Sequence, residues 1–174
     1  MGKSVTDELQ DVTKAWLLNE LLAEQPGLRV MPITGEGLVL RGGLEVRAAN
    51  ADGVVIEDFF EIDIRVPWTF PFCLTRARET TGRIPKTFHT LDDGAMCLGS
   101  YIRQTLELME SPTVLAFVNK LVIPYLYGFR YWQQFGTMPF GELRHNDEGL
   151  LDDYADLFKV RTHAQVLGLS LIHI

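Results

Sequence analysis

Cysteine is scarce in this chain: there are two among 174 residues, Cys73 and Cys97, 24 positions apart. That excludes a disulfide framework and a paired-cysteine zinc motif. A zinc site assembled from Cys73, Cys97 and His89 matches no usual ligand spacing either. Positive charge is also short: 16 Lys and Arg against 23 Asp and Glu leave a net charge of −7, which argues against a nucleic-acid binder. No apolar run reaches the roughly 20 residues of a membrane-spanning helix, and Met1-Gly2-Lys3-Ser4 lacks the apolar core of a signal peptide. Internal repeats, low-complexity tracts and dividing linkers are missing, as is an ATP-binding motif. What is left is one domain over residues 1–174, with its core from about 5 to 159 and a tail, 160–174, assigned no function. A reducing cytoplasm is the expected compartment, where a free thiol persists. An apolar fraction of 47% supplies an ordinary globular core.

Hydrophobic spacing divides the chain into one helix, a run of strands, a long loop and further helices. Ser4 to Asp7 reads as a capping box, and Leu9, Val12, Trp16, Leu17 and Leu21 recur at helical spacing, so a helix is expected from Val5 to Glu24 before Pro26-Gly27 stops it. Leu28 to Ile33 reads as a short strand. From Gly37 to Ala49 the even positions Leu38, Leu40, Leu44, Val46 and Ala48 are apolar, with Gly42-Gly43 as an expected bulge or bend. Asn50-Ala51-Asp52-Gly53 reads as a hairpin turn. Val54 to Val66 alternates cleanly, Phe60, Ile62, Ile64 and Val66 on one side and Phe59, Glu61, Asp63 and Arg65 on the other. Beyond the turn Pro67–Pro71, a fourth strand is expected over Phe72 to Thr80. It carries Cys73 as a small, inert apolar side chain, so that Cys97 reacts first with a thiol reagent. The fold class is α+β: an N-terminal helix, a four-stranded antiparallel meander, a long loop and C-terminal helices.

Ser111-Pro112 predicts a helix start that buries Val114, Phe117, Val118, Leu121 and Val122, kinked or ended at Pro124. The aromatic stretch from Tyr125 to Phe135 predicts another helix, read as core in preference to a docking surface. Shorter helices are expected from Asn146 or Asp147 through Lys159 and after a capping box at Thr162 to Gln165.

Gly82 to Gly99 has neither helical nor strand periodicity. Ordered loops of this length are usually functional. Asp93-Gly94 predicts a tight turn that swings Met96, Cys97 and Leu98 back to the body of the protein. Cys97 after such a turn is a candidate nucleophile, and His89 lies within the same loop, as a donor beside it or as a structural histidine. Asp92 and Asp93 are either proton acceptors for an attacking amine or carboxylates that close the turn on their own backbone.

The segment from Phe59 to Leu98 resembles the catalytic half of a ubiquitin-conjugating enzyme. Phe60-Glu61-Ile62-Asp63-Ile64-Arg65-Val66-Pro67-Trp68-Thr69-Phe70-Pro71 is similar to that family's third strand and proline-rich turn. Phe88-His89 through Asp93-Gly94-Ala95-Met96-Cys97-Leu98 is similar to its active-site loop, and the order of elements agrees from Val5 to Lys159. The likeness is closest to the bacterial branch, encoded beside antiphage signalling genes or ubiquitin-like conjugation operons. It implies that Cys97 accepts an activated protein C-terminus as a thioester and passes it to an amine, with no cofactor. The implied donor is a ubiquitin-like protein or a nucleotidyltransferase of the cyclic-nucleotide-synthase type, activated by a separate enzyme or another route. Where eukaryotic members carry His-Pro-Asn, this chain has His89 at the Asn position with no Pro-Asn following, so His89 is either the oxyanion donor or a loop brace. Two other readings stand beside the transferase: a non-catalytic adaptor of the same fold that binds such a partner, and a cysteine isopeptidase, which needs a base and orienter that His89 alone does not supply.

Overall fold

The computed structural model describes residues 16–32, 37–73 and 75–139, together with 155 and 159. Within them the chain is α+β. A helix, α1 (Leu18–Glu24), leads into strands β1 (Leu28–Val30), β2 (Gly37–Ala49), β3 (Val55–Pro67) and β4 (Arg76–Glu79). Helices α2 (Tyr101–Met109), α3 (Val114–Phe117) and α4 (Ile123–Phe135) follow, with a π-helical segment, Val118–Val122, between the last two. The four strands form one antiparallel meander in the order β1-β2-β3-β4. No helix among the described residues is long and apolar enough to cross a membrane.

The alternating pattern dictates the two long strands. Leu38, Leu40, Leu44 and Val46 of β2 and Ile56, Phe60, Ile62, Ile64 and Val66 of β3 are all buried, and their odd-numbered neighbours form the outer face of the sheet. Against the inner face lie Leu18 and Leu21 of α1, Val114 and Phe117 of α3, and Leu126 and Phe129 of α4. Trp16 is core, as expected, stacked on Trp68 with ring centroids 6.1 Å apart. The turn Asn50–Gly53 forms as read, with the Gly53 amide on the Asn50 carbonyl at 3.0 Å. The expected helix from Val5 does not run unbroken to Glu24: Leu17 is left-handed at φ 51, and α1 begins only at Leu18. The expected capping box at Ser4, the helical positions expected up to Ala15 and the elements beyond Phe140 lie outside the described residues, apart from single positions at 155 and 159.

Further expectations change in the sheet and the helices that follow it. Gly42-Gly43 makes no bulge: pairing with β3 runs one to one through both glycines. They serve close approach instead, since a Cβ on Gly42 would sit 2.2 Å from the Gly27 carbonyl oxygen, and one on Gly43 1.9 Å from the Phe59 ring. The fourth strand is short. After the cis Phe70–Pro71 peptide, the amides of Phe72 and Cys73 both turn back to the Thr69 carbonyl, so they do not pair with β3. Cys73 therefore lies before the strand and is exposed, not an inert strand residue. Helix α2 was not expected at all; the Ser100 hydroxyl caps it by accepting from the Arg103 amide. The next helix starts at Thr113, whose hydroxyl accepts from the Ala116 amide, rather than at Ser111-Pro112.

Pro124 neither ends nor breaks the last helix. A proline ring clashes with the carbonyl four residues back in an α-helix, here that of Lys120. The widened turn at Val118–Val122 removes that geometry, and Pro124 falls in the first turn of α4, where no amide is required of it.

Candidate active site

Residues 80–100 carry no helix or strand beyond an isolated bridge between Thr90 and Met96. The loop is ordered because both limbs are pinned. At its start, Glu79 accepts from the amides of Thr81 and Arg83, each at 2.8 Å. Burial raises the Glu79 pKa, but these bonds outweigh it and hold the carboxyl below its usual range. Arg83 grips Asp58 at 2.7 Å and the Phe59 carbonyl at 2.6 Å, and lies over the Phe60 ring at 4.3 Å. Arg130 of α4 reaches the same carboxylate. Burial alone would lift Asp58, yet Arg83, the Phe59 amide and Arg130 together depress it, so it stays charged.

Further on, Phe88 inserts its ring among Phe129, Tyr125 and Trp132, with centroids 5.1, 5.6 and 5.3 Å away. The expected turn follows. Gly94 adopts φ 82, its amide donates to the Leu91 carbonyl at 2.8 Å, and the Leu91 amide donates to Ala95 at 2.8 Å. Met96 then bonds to the Ala77 carbonyl of β4 and Cys97 to the His89 carbonyl, both at 2.8 Å. The turn thus returns Met96 to the core and lays Cys97 alongside His89. His89 has φ 36, a left-handed conformation costing a non-glycine residue about 1–3 kcal/mol, and it is held there by the packing on either side.

Cys97 is half-buried and lines a cavity of about 260 Å³. Phe88, Leu98, Leu121, Pro124 and Met138 give it an apolar wall. His89, Arg103, Glu107, Lys120 and Tyr125 supply the polar groups. Helix α2, invisible in the hydrophobic spacing, provides Arg103 and Glu107, and the Lys120 ammonium donates to the Glu107 carbonyl at 2.9 Å. The Tyr125 hydroxyl donates to the Phe88 carbonyl at 3.1 Å. Burial pushes that hydroxyl up to about 12; the Thr90 side chain opposes the shift and the neighbouring Cys97 adds to it.

Of the four residues singled out in the sequence, the structure brings two together, Cys97 and His89. Asp93 faces a different cavity, beside Arg65, Arg76 and Arg78. Its carboxylate accepts from the Ala95 amide at 3.0 Å and pairs with Arg76, while its carbonyl accepts from Arg78. The Ala95 hydrogen bond, with Arg76 and Arg78, holds its pKa down. These are the contacts of a turn brace. Asp92 is exposed and lines neither cavity. The carboxylate that shares the cavity with Cys97 is Glu107, which nothing in the loop sequence indicates.

The Cys97 amide is committed to His89, so it is not available as an oxyanion donor. The amides of Leu98 and Gly99, next in the chain, donate to no backbone carbonyl among the described residues. Among those residues, no group of three or more His, Cys, Asp or Glu is placed to hold a metal ion. Comparison of the chain with family models, curated proteins and solved structures finds no match in any of the three.

Proposed function

We propose that this chain is a ubiquitin-conjugating-like acyl carrier: it takes a protein C-terminus onto Cys97 as a thioester and transfers it to an amine of a target. The observation that carries the reading is the position of Cys97, directly after a braced turn, in an open, largely apolar cavity that also holds His89 and Glu107. In the first step the Cys97 sulfur bonds to the donor's thioester carbon, the donor's own C–S bond breaks, and the leaving thiol takes the proton lost from Cys97. In the second, the target nitrogen bonds to the same carbon, the Cys97 C–S bond breaks, and one amine proton passes to a base while the thiol is restored. A thioester and a thiol differ little in energy, so positioning and oxyanion stabilisation are the main demands on the protein.

Each group has an assignable part. Leu98 and Gly99 offer amides, and Arg103 and Lys120 offer positive charge, where the carbonyl oxygen becomes negative. His89 braces the loop through its carbonyl. Glu107 is the carboxylate able to steer and deprotonate an incoming amine. The cavity volume lies below the roughly 300–1,000 Å³ of small-molecule sites and suits a short run of extended chain. The resemblance to the bacterial branch points to antiphage defence as the setting, with a ubiquitin-like protein or a nucleotidyltransferase as donor.

The test is mass spectrometry under non-reducing conditions after incubation with the products of neighbouring genes and ATP. A thiol-labile adduct on Cys97 is expected, with a hydroxylamine-stable ester on Cys97→Ser and nothing on Cys97→Ala. Tight binding of a neighbouring product with no adduct on any variant replaces the carrier with an adaptor of the same fold.

A further inference from the structure

The outer face of the sheet carries a charge pattern that the chemistry at Cys97 does not use. Its register sets Arg29, Arg41, Asp63 and Arg78 in one row across all four strands, and Arg65 opposite Arg76 in the next. Residues directly opposite in antiparallel strands point to the same face. Five arginines are therefore gathered at one end of this face, in a chain where acidic residues outnumber basic ones 23 to 16. Two of the pairings, Arg29–Arg41 and Arg65–Arg76, put like charges opposite each other, which destabilises a sheet.

The nearby carboxylates do not neutralise the set. Asp63 has a side chain only 9% exposed; Arg41 holds it at 2.7 Å and Arg65 lies 3.9 Å away. The Asp93 carboxylate reaches across from the loop to Arg76 alone, while Arg78 donates to its backbone carbonyl. The side chains of Arg41, Arg65 and Arg76 nevertheless remain 53, 69 and 59% exposed. Every cation of the cluster is arginine, whose planar fork matches carboxylates in pairs and is less hydrated than lysine.

We propose that this face docks a carboxylate-rich segment of a partner protein, laid across the strands with its acidic side chains on Arg29, Arg41, Arg65 and Arg76. Charge complementarity selects such a segment over a nucleic acid. A long polyanion feels the net charge of −7 beyond the patch, whereas a short acidic segment meets only the local positive field. The exposed aromatic of this face at the cluster's edge, Phe59, covers Gly43 and does not stand free to stack a base. The docking is independent of whether Cys97 carries an acyl group.

Fluorescence anisotropy of a labelled oligoglutamate peptide on the full chain tests it. Saturable binding is expected at about 10 mM ionic strength, weakening by about 150 mM as the screening length falls from roughly 30 to 8 Å. The double variant Arg29→Gln/Arg65→Gln should bind about tenfold more weakly, the value of two exposed ion pairs, while melting no lower than wild type. The corresponding double lysine variant, which keeps charge but loses the fork, should fall between them. No saturable binding at low salt, equal affinity of the glutamine variant, or tighter binding of a thymidine oligonucleotide of equal charge overturns the proposal. A lower melting temperature in the glutamine variant also overturns it, because the arginines then serve the sheet itself.

Discussion

Replacing Phe88 with alanine tests whether the long loop is a docked, preorganised element. The ring is buried against Phe129, Tyr125 and Trp132, and the residue's carbonyl accepts the Tyr125 hydroxyl at 3.1 Å and the Thr90 hydroxyl at 2.7 Å. Losing a buried phenylalanine forfeits about 1.5–3 kcal/mol of transfer free energy, and with the cavity left behind the total is about 3–5 kcal/mol. A domain is held together by about 5–15 kcal/mol, so the variant should still fold. The ring belongs to the loop, so the cost falls chiefly on the loop's docked state, while β2 and β3 keep their own ladder. At tenfold per 1.4 kcal/mol, loop opening becomes more frequent by a factor of roughly 100 to 4,000. Hydrogen exchange by mass spectrometry reads this directly, because the amides of Leu91, Gly94, Met96 and Cys97 are all bonded within or from the loop. A peptide spanning 89–97 should exchange far faster in the variant than in wild type, with peptides of the central strands much less affected. Equal acceleration of loop and strands refutes the separate docking, and an unchanged loop refutes the anchoring role of the ring.

Three further outcomes follow from the geometry. With native protein and limiting iodoacetamide, Cys73 should alkylate before Cys97, since it is exposed and Cys97 is half-buried; the gap should close in urea, and a faster Cys97 would show that activation outweighs access. Tyr125 holds its proton more tightly folded than unfolded, so its contribution is full below about pH 10 and is lost as pH rises towards 12, a change of about 2–3 kcal/mol. Alkaline unfolding of Tyr125→Phe should accordingly be flatter across that window, and an identical profile contradicts the assignment. Gly42→Ala drives a methyl group into the Gly27 backbone carbonyl, at a φ of 131 that side chains rarely adopt, and should cost about 1–3 kcal/mol in urea denaturation; Gly43→Ala, which meets only the outer end of the half-exposed Phe59 ring, should cost clearly less, and equal losses contradict the assignment.

The central strands were legible because one buried face imposes a two-residue period that little else produces. Gly37–Ala49 and the buried set of β3 emerged with the expected sides inward. The turn at Asp93-Gly94 was equally legible, because its chemistry is local. Cys73 was not: whether an apolar residue near a strand end pairs or curls away depends on where the preceding turn sends its amides, and here they go to Thr69. Helix α2 escaped because it buries only Gln104 and Leu108, too narrow a stripe to stand out among polar neighbours. That omission hid Arg103 and Glu107, so two of the five polar residues lining the cavity had no signal near the cysteine. The choice of cap between Ser111 and Thr113 rests on which hydroxyl the backbone brings to the Ala116 amide, and composition does not decide it.

The π-helical turn before Pro124 has a consequence for indels. Each residue added to or removed from a helix rotates everything beyond it by about 100°. Trimming one position from Val118–Val122 would restore regular winding, yet it would also swing Tyr125 and Phe129 off the sides they now occupy. The rings under Phe88 and the hydroxyl beside Cys97 would leave together. The extra residue works as a phase setting for the helix, and in evolution or in engineering this short stretch should accept substitutions far more readily than a change of length.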